Sequence, residues 1–463
     1  MQPLPFYAAP KTCQPAQSYS FSLCCPSLLL HARSSLQPLP LPPSRATAPS
    51  CTRLPLDPFH AGATRASSAA RILHERHSNS RALSGLGGFI PSSPPTTLSH
   101  LTLLPPTTGA ACLDGSPYGF YFAPSAKGSS KWTVSIEGGG WCYDEISCLY
   151  RSNTSLGSSH YWPSTAGCTC MNVDDSGGAV EQDCNCVFMP YGDGASFSGY
   201  RSEPWPVPSH PGRSLTFRGM TNFDQTFAYL FANLGLQNAT QFVLTGGSAG
   251  GLSTFLHLDR AAAFLRERAP LVTSIKGAPV VGYFLDHANF AHSSNNYSAW
   301  MQYIVSMQNV TAQGGALNQA CVDDHKEEPW MCFMAPHMQA YIQTPWYMFN
   351  SKFDSWQLAN ILQTPWTTKA EQAAVIAYGA DFMQQFEPVS AEQRNGAFIT
   401  SCICHGCPWS TLVLDGLTSL QLYARWHAGT IVHPQSIAVD QRGPNGDGAI
   451  TDKLCLPFPK QLQ

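Results

Sequence analysis

Apolar positions along this chain follow two rhythms, and each rhythm breaks at glycines. In "KWTVSIEGGGW" (131–141), Trp132, Val134 and Ile136 alternate with polar residues and then stop at three glycines, which predicts a strand ending in a tight loop. "CVFMPYGDGASFSG", starting at Cys186, repeats the scheme of strand and glycine-rich loop. "FDQTFAYLFANLGL" (223–236) has apolar residues every three or four positions, the period of a helix with one buried face. "QFVLTGGSAGGLSTF" (241–255) predicts a strand over 241–245 and a helix over roughly 249–267. "WYMFNSKFD" (346–354) and "GAFITSCICHG" (396–406) read as later strands. Strands alternating with helices predict an α/β protein, with a mostly parallel sheet and helices on both faces. The stretch 289–345 is polar and irregular and reads as a cap or insertion. Nothing repeats at a fixed period.

Residues 1–105 have no such rhythm. Strings such as "LQPLPLPPSRATAPS" and "PSSPPTTLSH" cannot bury a continuous face, and the only acidic residues there are Asp57 and Glu75. The segment is expected to be disordered or a targeting sequence, with the folded domain at 106–463. Its Arg- and Ser-rich, acid-poor composition resembles a transit peptide.

Composition narrows the class. Of the 463 residues only 12 % are charged, about half the usual share. The formal net charge is −3 and no basic stripe is present, which argues against a nucleic-acid surface. No run of about 18 apolar residues is found, so no membrane span is expected. Cysteine, by contrast, is abundant: 17 residues, 13 of them from Cys112 onward. Close pairs recur at Cys142 and Cys148, Cys168 and Cys170, Cys184 and Cys186, and among Cys402, Cys404 and Cys407. The spacings are mostly C-x-C or C-x₅-C with no matching second pair at zinc-finger distance, so disulfides are favoured over zinc. Sequons at Asn153, Asn238, Asn296 and Asn309 fit an extracellular route. The cysteines and the transit-like segment thus point to different compartments. The cysteines weigh more, because they lie in the part that folds, and the expectation is a secreted protein.

Gly246-Gly247-Ser248-Ala249-Gly250 matches G-x-S-x-G at a strand-to-helix turn, the pattern of a nucleophile elbow. Small neighbours are needed where strand and helix crowd the serine. The helix after it aims free N–H groups at any oxyanion formed there. A serine hydroxyl needs a base, and the base needs an orienting carboxylate. In α/β-hydrolases the order is Ser, then acid, then His. Ser248, Asp354 and His405 fit that order. Asp286, Asp381 and Asp415 compete for the acid, and His427 and His433 for the base. "EGGGW" (137–141) is the candidate loop for further oxyanion donors, with a plain structural turn as the alternative.

Taken together, "IEGGGWCYDEISC", "GGSAGG", "GYFLD", "FDSWQL" and "SCICHGC" resemble, in order and spacing, the pectin acetylesterase family, the carbohydrate esterase group that also contains Notum. The resemblance covers about residues 110–430. It implies an α/β-hydrolase-like, disulfide-stabilised fold. It implies Ser248 as nucleophile, Asp354 as acid and His405 as base. It places the oxyanion donors on the Gly139, Gly140 and Trp141 loop and on Ala249. "FDSWQ" and "FITSC" lean toward the plant-type members. Two features depart from the pattern: Gly406 stands between His405 and Cys407, and 427–463 has no obvious counterpart. The family's disulfide pairing is therefore not carried over. The implied activity is hydrolysis of O-acetyl esters on a pectin-like polysaccharide, by a monomer with no metal or organic cofactor. A Notum-like long-chain protein deacylase and a non-catalytic glycan-binding protein on the same fold are the alternatives.

Overall fold

Six successive residues of Lys131–Ile136 are all buried, although their sequence alternates polar and apolar. The reason is position: this strand lies in the middle of a sheet covered on both faces, so Thr133 and Ser135 are enclosed as well. The computed structural model describes residues 97–291, 296–312, 314–390 and 393–444. The segment expected to be disordered or targeting lies outside these residues up to position 96, as do Cys455 and the end of the chain.

The main sheet is built from β1 (Thr97–Leu103), β2 (Gly119–Ala123), β3 (Lys131–Ile136), β4 (Thr165–Cys168) and β5 (Asn185–Met189). It continues with β6 (Gln241–Gly247), β7 (Ser274–Val280), β8 (Tyr347–Ser351), β9 (Gly396–Thr400) and β10 (Ile437–Val439). The strand order is β10-β9-β8-β7-β6-β3-β5-β2-β1-β4. From β10 to β5 neighbouring strands run parallel, while β2, β1 and β4 are joined antiparallel. This is the α/β-hydrolase-like, mostly parallel sheet that the alternating rhythm predicts, with an antiparallel end added.

That antiparallel end corrects the domain boundary. β1 falls inside the stretch read as unfolded, so the folded region starts before residue 106. Its sequence, "TLSHLTL", alternates only over its second half, and a proline-rich context on both sides hides the signal. The tail without a family counterpart also contributes: β10 pairs with β9 through Ala397 and Ile437 and forms the opposite edge.

The helices that matter for the site are α1 (Glu145–Arg151), α2 (Gly219–Asn233) and α3 (Ala249–Arg268). α2 starts four residues earlier than its pattern predicts, because Gly219 and Met220 are buried against the body of the protein. The strands expected over 346–354 and 396–406 are shorter, and each gives way to loop or helical turn. The stretch 289–345 contains α4 (Asn296–Met307), α5 (Gln319–Asp324) and shorter helical turns. Tyr297, Met301, Ile304, Phe333 and Met338 from it are buried in the main core. Its polar look came from the exposed faces.

Candidate active site

The site gathers at the carboxyl ends of parallel strands, where α/β sheets hold their ligands. β6 pairs residue by residue with β3, so Gly246 lies beside Ile136 and the loops after these strands are neighbours. β8 and β9 end on the same side, with Ser351 beside Thr400.

Ser248 sits between β6 and α3 with φ 59° and ψ −124°, a positive-φ backbone that a non-glycine residue adopts only under strain. Its backbone N–H donates to Val280 O at 2.9 Å, and its own carbonyl accepts from Leu252 N at 3.0 Å. These two bonds hold the turn. α3 packs so closely behind it that a Cβ on Gly250 would overlap Ile136 O, and one on Gly251 would lie 2.8 Å from Gly282 Cα. This close approach is why the pattern carries glycines after the serine.

The hydroxyl of Ser248 lies 2.8 Å from His405 Nε2. His405 Nδ1 lies 2.8 Å from Asp354 Oδ2. Asp354 is fully buried, and its other oxygen accepts from Trp356 N and Gln357 N, each at 3.0 Å. The carboxylate therefore caps a helical turn with one oxygen and offers the other to the imidazole. The three residues singled out from sequence come together across separations of 157 and 51 positions.

The competing residues lie outside this chain of bonds. Asp286 accepts from His337 Nε2 at 3.2 Å and from Ser298. Asp381 lies 3.0 Å from His287 Nε2. Asp415 occupies a turn with φ 50°. His427 is buried, its carbonyl accepts from Lys276 Nζ, and burial lowers its pKa to about 3. His433 precedes a cis proline.

The "EGGGW" loop lies against the serine: a Cβ on Gly138 would come within 2.9 Å of Ser248 Cβ. Gly139 and Gly140 have φ of 137° and 66°, so the loop takes a path that favours glycine. Among the described residues no backbone acceptor is found for the N–H groups of Gly140, Trp141 or Ala249. Free N–H groups on adjacent loops are what an oxyanion would accept.

Residues not singled out from sequence brace this arrangement. Ser196, in the loop after β5, accepts from Trp141 Nε1 at 2.8 Å and donates to Ala249 O at 2.8 Å. One hydroxyl thus ties together the two loops that carry the free N–H groups. Ser196 is in turn held by Tyr191 OH and by the buried His257, whose Nε2 lies 3.2 Å from Ser196 O. Nothing in the local sequence marks Ser196 except its place in a glycine-rich loop after a strand. Trp141, Phe284, Tyr297 and Trp356 form a ring cluster beside the imidazole. Phe284 and Trp356 lie 6.2 and 6.3 Å from the His405 ring, and Trp141 lies 4.9 Å from Phe284.

Two groups of side chains bring their donor atoms close enough to share an ion: Cys170, Cys184 and Cys186, and Cys321, His325 and Cys332. Their sulfurs are in disulfides, Cys170–Cys184, Cys168–Cys186 and Cys321–Cys332, and a disulfide sulfur is not a thiolate ligand. Cys142–Cys148 and Cys404–Cys407 are also bonded, and Cys402 is in a disulfide. Among the described cysteines only Cys112 is free, and burial pushes its thiol up to about 12.

The fold defines the class as α/β-hydrolase-like. Comparison with known proteins gives the family. A family model described as Pectinacetylesterase matches residues 93–418. Pectin acetylesterase 5 of Arabidopsis thaliana is 32 % identical over 329 residues, covering 67 % of this chain and 74 % of the relative. The palmitoleoyl-protein carboxylesterase Notum of Drosophila melanogaster is 28 % identical, covering 70 % of this chain and 47 % of the relative. A crystal structure of the Wnt deacylase Notum from Drosophila superposes with a TM-score of 0.63 at 25 % identity, covering 74 % of this chain and 97 % of that one. The chain belongs to the pectinacetylesterase family, and it is a carboxylic ester hydrolase.

Proposed function

We propose that this protein is a serine esterase that removes O-acetyl groups from a cell-wall polysaccharide such as pectin. The observation that carries this reading is the hydrogen-bond chain from Ser248 through His405 to the buried Asp354. In this mechanism His405 takes the hydroxyl proton as Ser248 Oγ attacks the ester carbonyl. Asp354, enclosed and held by two backbone N–H groups, fixes the imidazole tautomer and stabilises the imidazolium. The tetrahedral oxyanion rests on the N–H groups of Gly140, Trp141 and Ala249. The carbon–oxygen bond to the sugar then breaks, and the sugar hydroxyl leaves with the proton from His405. Water, deprotonated by the same histidine, attacks the acetyl-enzyme and releases acetate.

The acetyl group is favoured by the ring cluster. Trp141, Phe284 and Tyr297 are buried and packed closely beside the imidazole, which suits a short acyl group better than a long chain. The similarity to pectin acetylesterases of Arabidopsis supports the polysaccharide side of the ester. The similarity to Notum supports a second reading, a long-chain protein deacylase. We also propose a secretory route, since every described cysteine except Cys112 is disulfide-bonded. No described helix is long and apolar enough to cross a membrane.

A chain-length series of p-nitrophenyl esters separates the two readings. The acetylesterase reading expects kcat/KM to be highest for acetate and to fall steadily toward octanoate. A rise toward octanoate would overturn it in favour of the deacylase.

A further inference from the structure

The "EGGGW" loop has a weakness built into it. Gly139 and Gly140 both have positive φ, and glycine moves among backbone conformations at little steric cost. The peptide unit between them could therefore rotate and change where its N–H points. Something has to hold it.

Arg151 is placed to do so. Its Nη1 donates to Gly139 O at 2.9 Å. A peptide unit is planar and trans, so its C=O and the next residue's N–H point in opposite directions. Fixing Gly139 O toward Arg151 therefore fixes the Gly140 N–H toward the opposite side. The bond to a cation also polarises the amide, which makes that N–H a better donor.

The arginine is itself anchored. Nε donates to Leu156 O at 3.0 Å, and the guanidinium lies 4.6 Å from the centre of the Tyr191 ring. The carboxylates of Glu137 and Asp193 are in electrostatic reach. The backbone is arranged to deliver the side chain. The Cys142–Cys148 disulfide closes the segment just after the loop, and Asp144 with Ser147 forms a capping box at the start of α1. One further turn of helix brings Arg151 back over Gly139.

We propose that Arg151 is a positioning residue that sets the oxyanion-binding orientation of the Gly139–Gly140 peptide. The inference rests on the reading that the Gly140 N–H stabilises the transition state. Losing one such donor typically costs on the order of 10²–10³ in kcat.

The test compares Arg151→Met and Arg151→Lys with wild type and with Ser248→Ala, measuring kcat, KM and melting temperature on p-nitrophenyl acetate. The expected result is a fall in kcat of about a hundredfold for Arg151→Met with KM little changed. Arg151→Lys, which keeps one cationic donor, recovers part of that loss. Should Arg151→Met not fold, Arg151→Lys alone decides, and a kcat equal to wild type overturns the inference. A folded Arg151→Met with wild-type kcat overturns it too, as does a Lys variant that loses kcat only in step with its melting temperature. Substantial activity in Ser248→Ala would instead sink the Ser248 mechanism beneath it, so the two failures are distinguishable.

Discussion

At the scale of single residues, the site is held by buried polar groups whose titration is displaced. Asp193, in the loop that also carries Ser196, is 1 % exposed, and burial raises its pKa to about 6, while bonds from backbone N–H groups such as Phe197 oppose the rise. A carboxyl group whose folded pKa lies above its unfolded value stabilises the fold most when it is protonated. Its contribution is therefore complete below about pH 4 and is lost as pH rises through about 6. Asp193→Asn, neutral throughout, should melt at nearly the wild-type temperature at about pH 4 and gain on wild type up to about pH 7. The gap should approach about 3 kcal/mol of unfolding free energy. Parallel melting curves across this range would show that Asp193 is ionised in the fold at low pH. His257 and His427 work in the other direction. Burial lowers both to about 3, so their contribution is present above about pH 6.5 and lost in acid.

How legible these residues were in the sequence depends on how local their roles are. Ser248 was readable because its demands are local: small neighbours, a strand before and a helix after. Asp354 and His405 were readable only as members of an ordered set. From position alone Asp286, Asp381 and His427 qualified as well; the two carboxylates prove to face other histidines, and the His427 ring is buried away from Ser248. Ser196 and Arg151 were not readable at all. Their bonds reach Trp141, Ala249 and Gly139, and no periodicity encodes which loop packs on which.

At the scale of elements, the parallel strands announced themselves as apolar runs ending at glycines, whereas the antiparallel end did not. β1 and β4 are half-exposed strands that read like loop, and β2, though buried, is only five residues long. This end of the sheet curls. β4 lies at the edge of the strand order, yet Cys168 on it and Cys186 on β5 are joined with Cα atoms 5.9 Å apart. Cys170–Cys184 adds a second tie 14 residues in span. Closing a loop of that size is worth about 3 kcal/mol, chiefly by restricting the unfolded chain. The double variant Cys170→Ser with Cys184→Ser should therefore lose about 2–4 kcal/mol in urea unfolding. An unchanged midpoint would mean that the Cys168–Cys186 tie and the strand pairing already hold this end by themselves.

At the scale of the whole molecule, distant segments converge on one rim of the sheet. The loop after β3 supplies the glycines and the tryptophan, the turn after β6 the serine. The ends of β8 and β9 supply the carboxylate and the imidazole, and 289–345 adds Tyr297 to the ring wall. A strained serine turn costs about 1–3 kcal/mol, and it persists because a closely packed helix behind it and a paired strand on each side, buried at the end nearest the serine, hold it in place. The disulfides, the enclosed acid and the braced loops are the kind of support that a site proposed to work by preorganisation needs.

The most direct test is the rate of p-nitrophenyl acetate hydrolysis by Ser248→Ala, with circular dichroism and melting temperature measured on the same sample. Removing the nucleophile of a Ser-His-Asp set typically costs on the order of 10⁶ in kcat. The prediction is a loss of at least about a thousandfold in a protein that folds as wild type does. A folded variant that keeps a tenth or more of the activity would contradict the Ser248–His405–Asp354 mechanism.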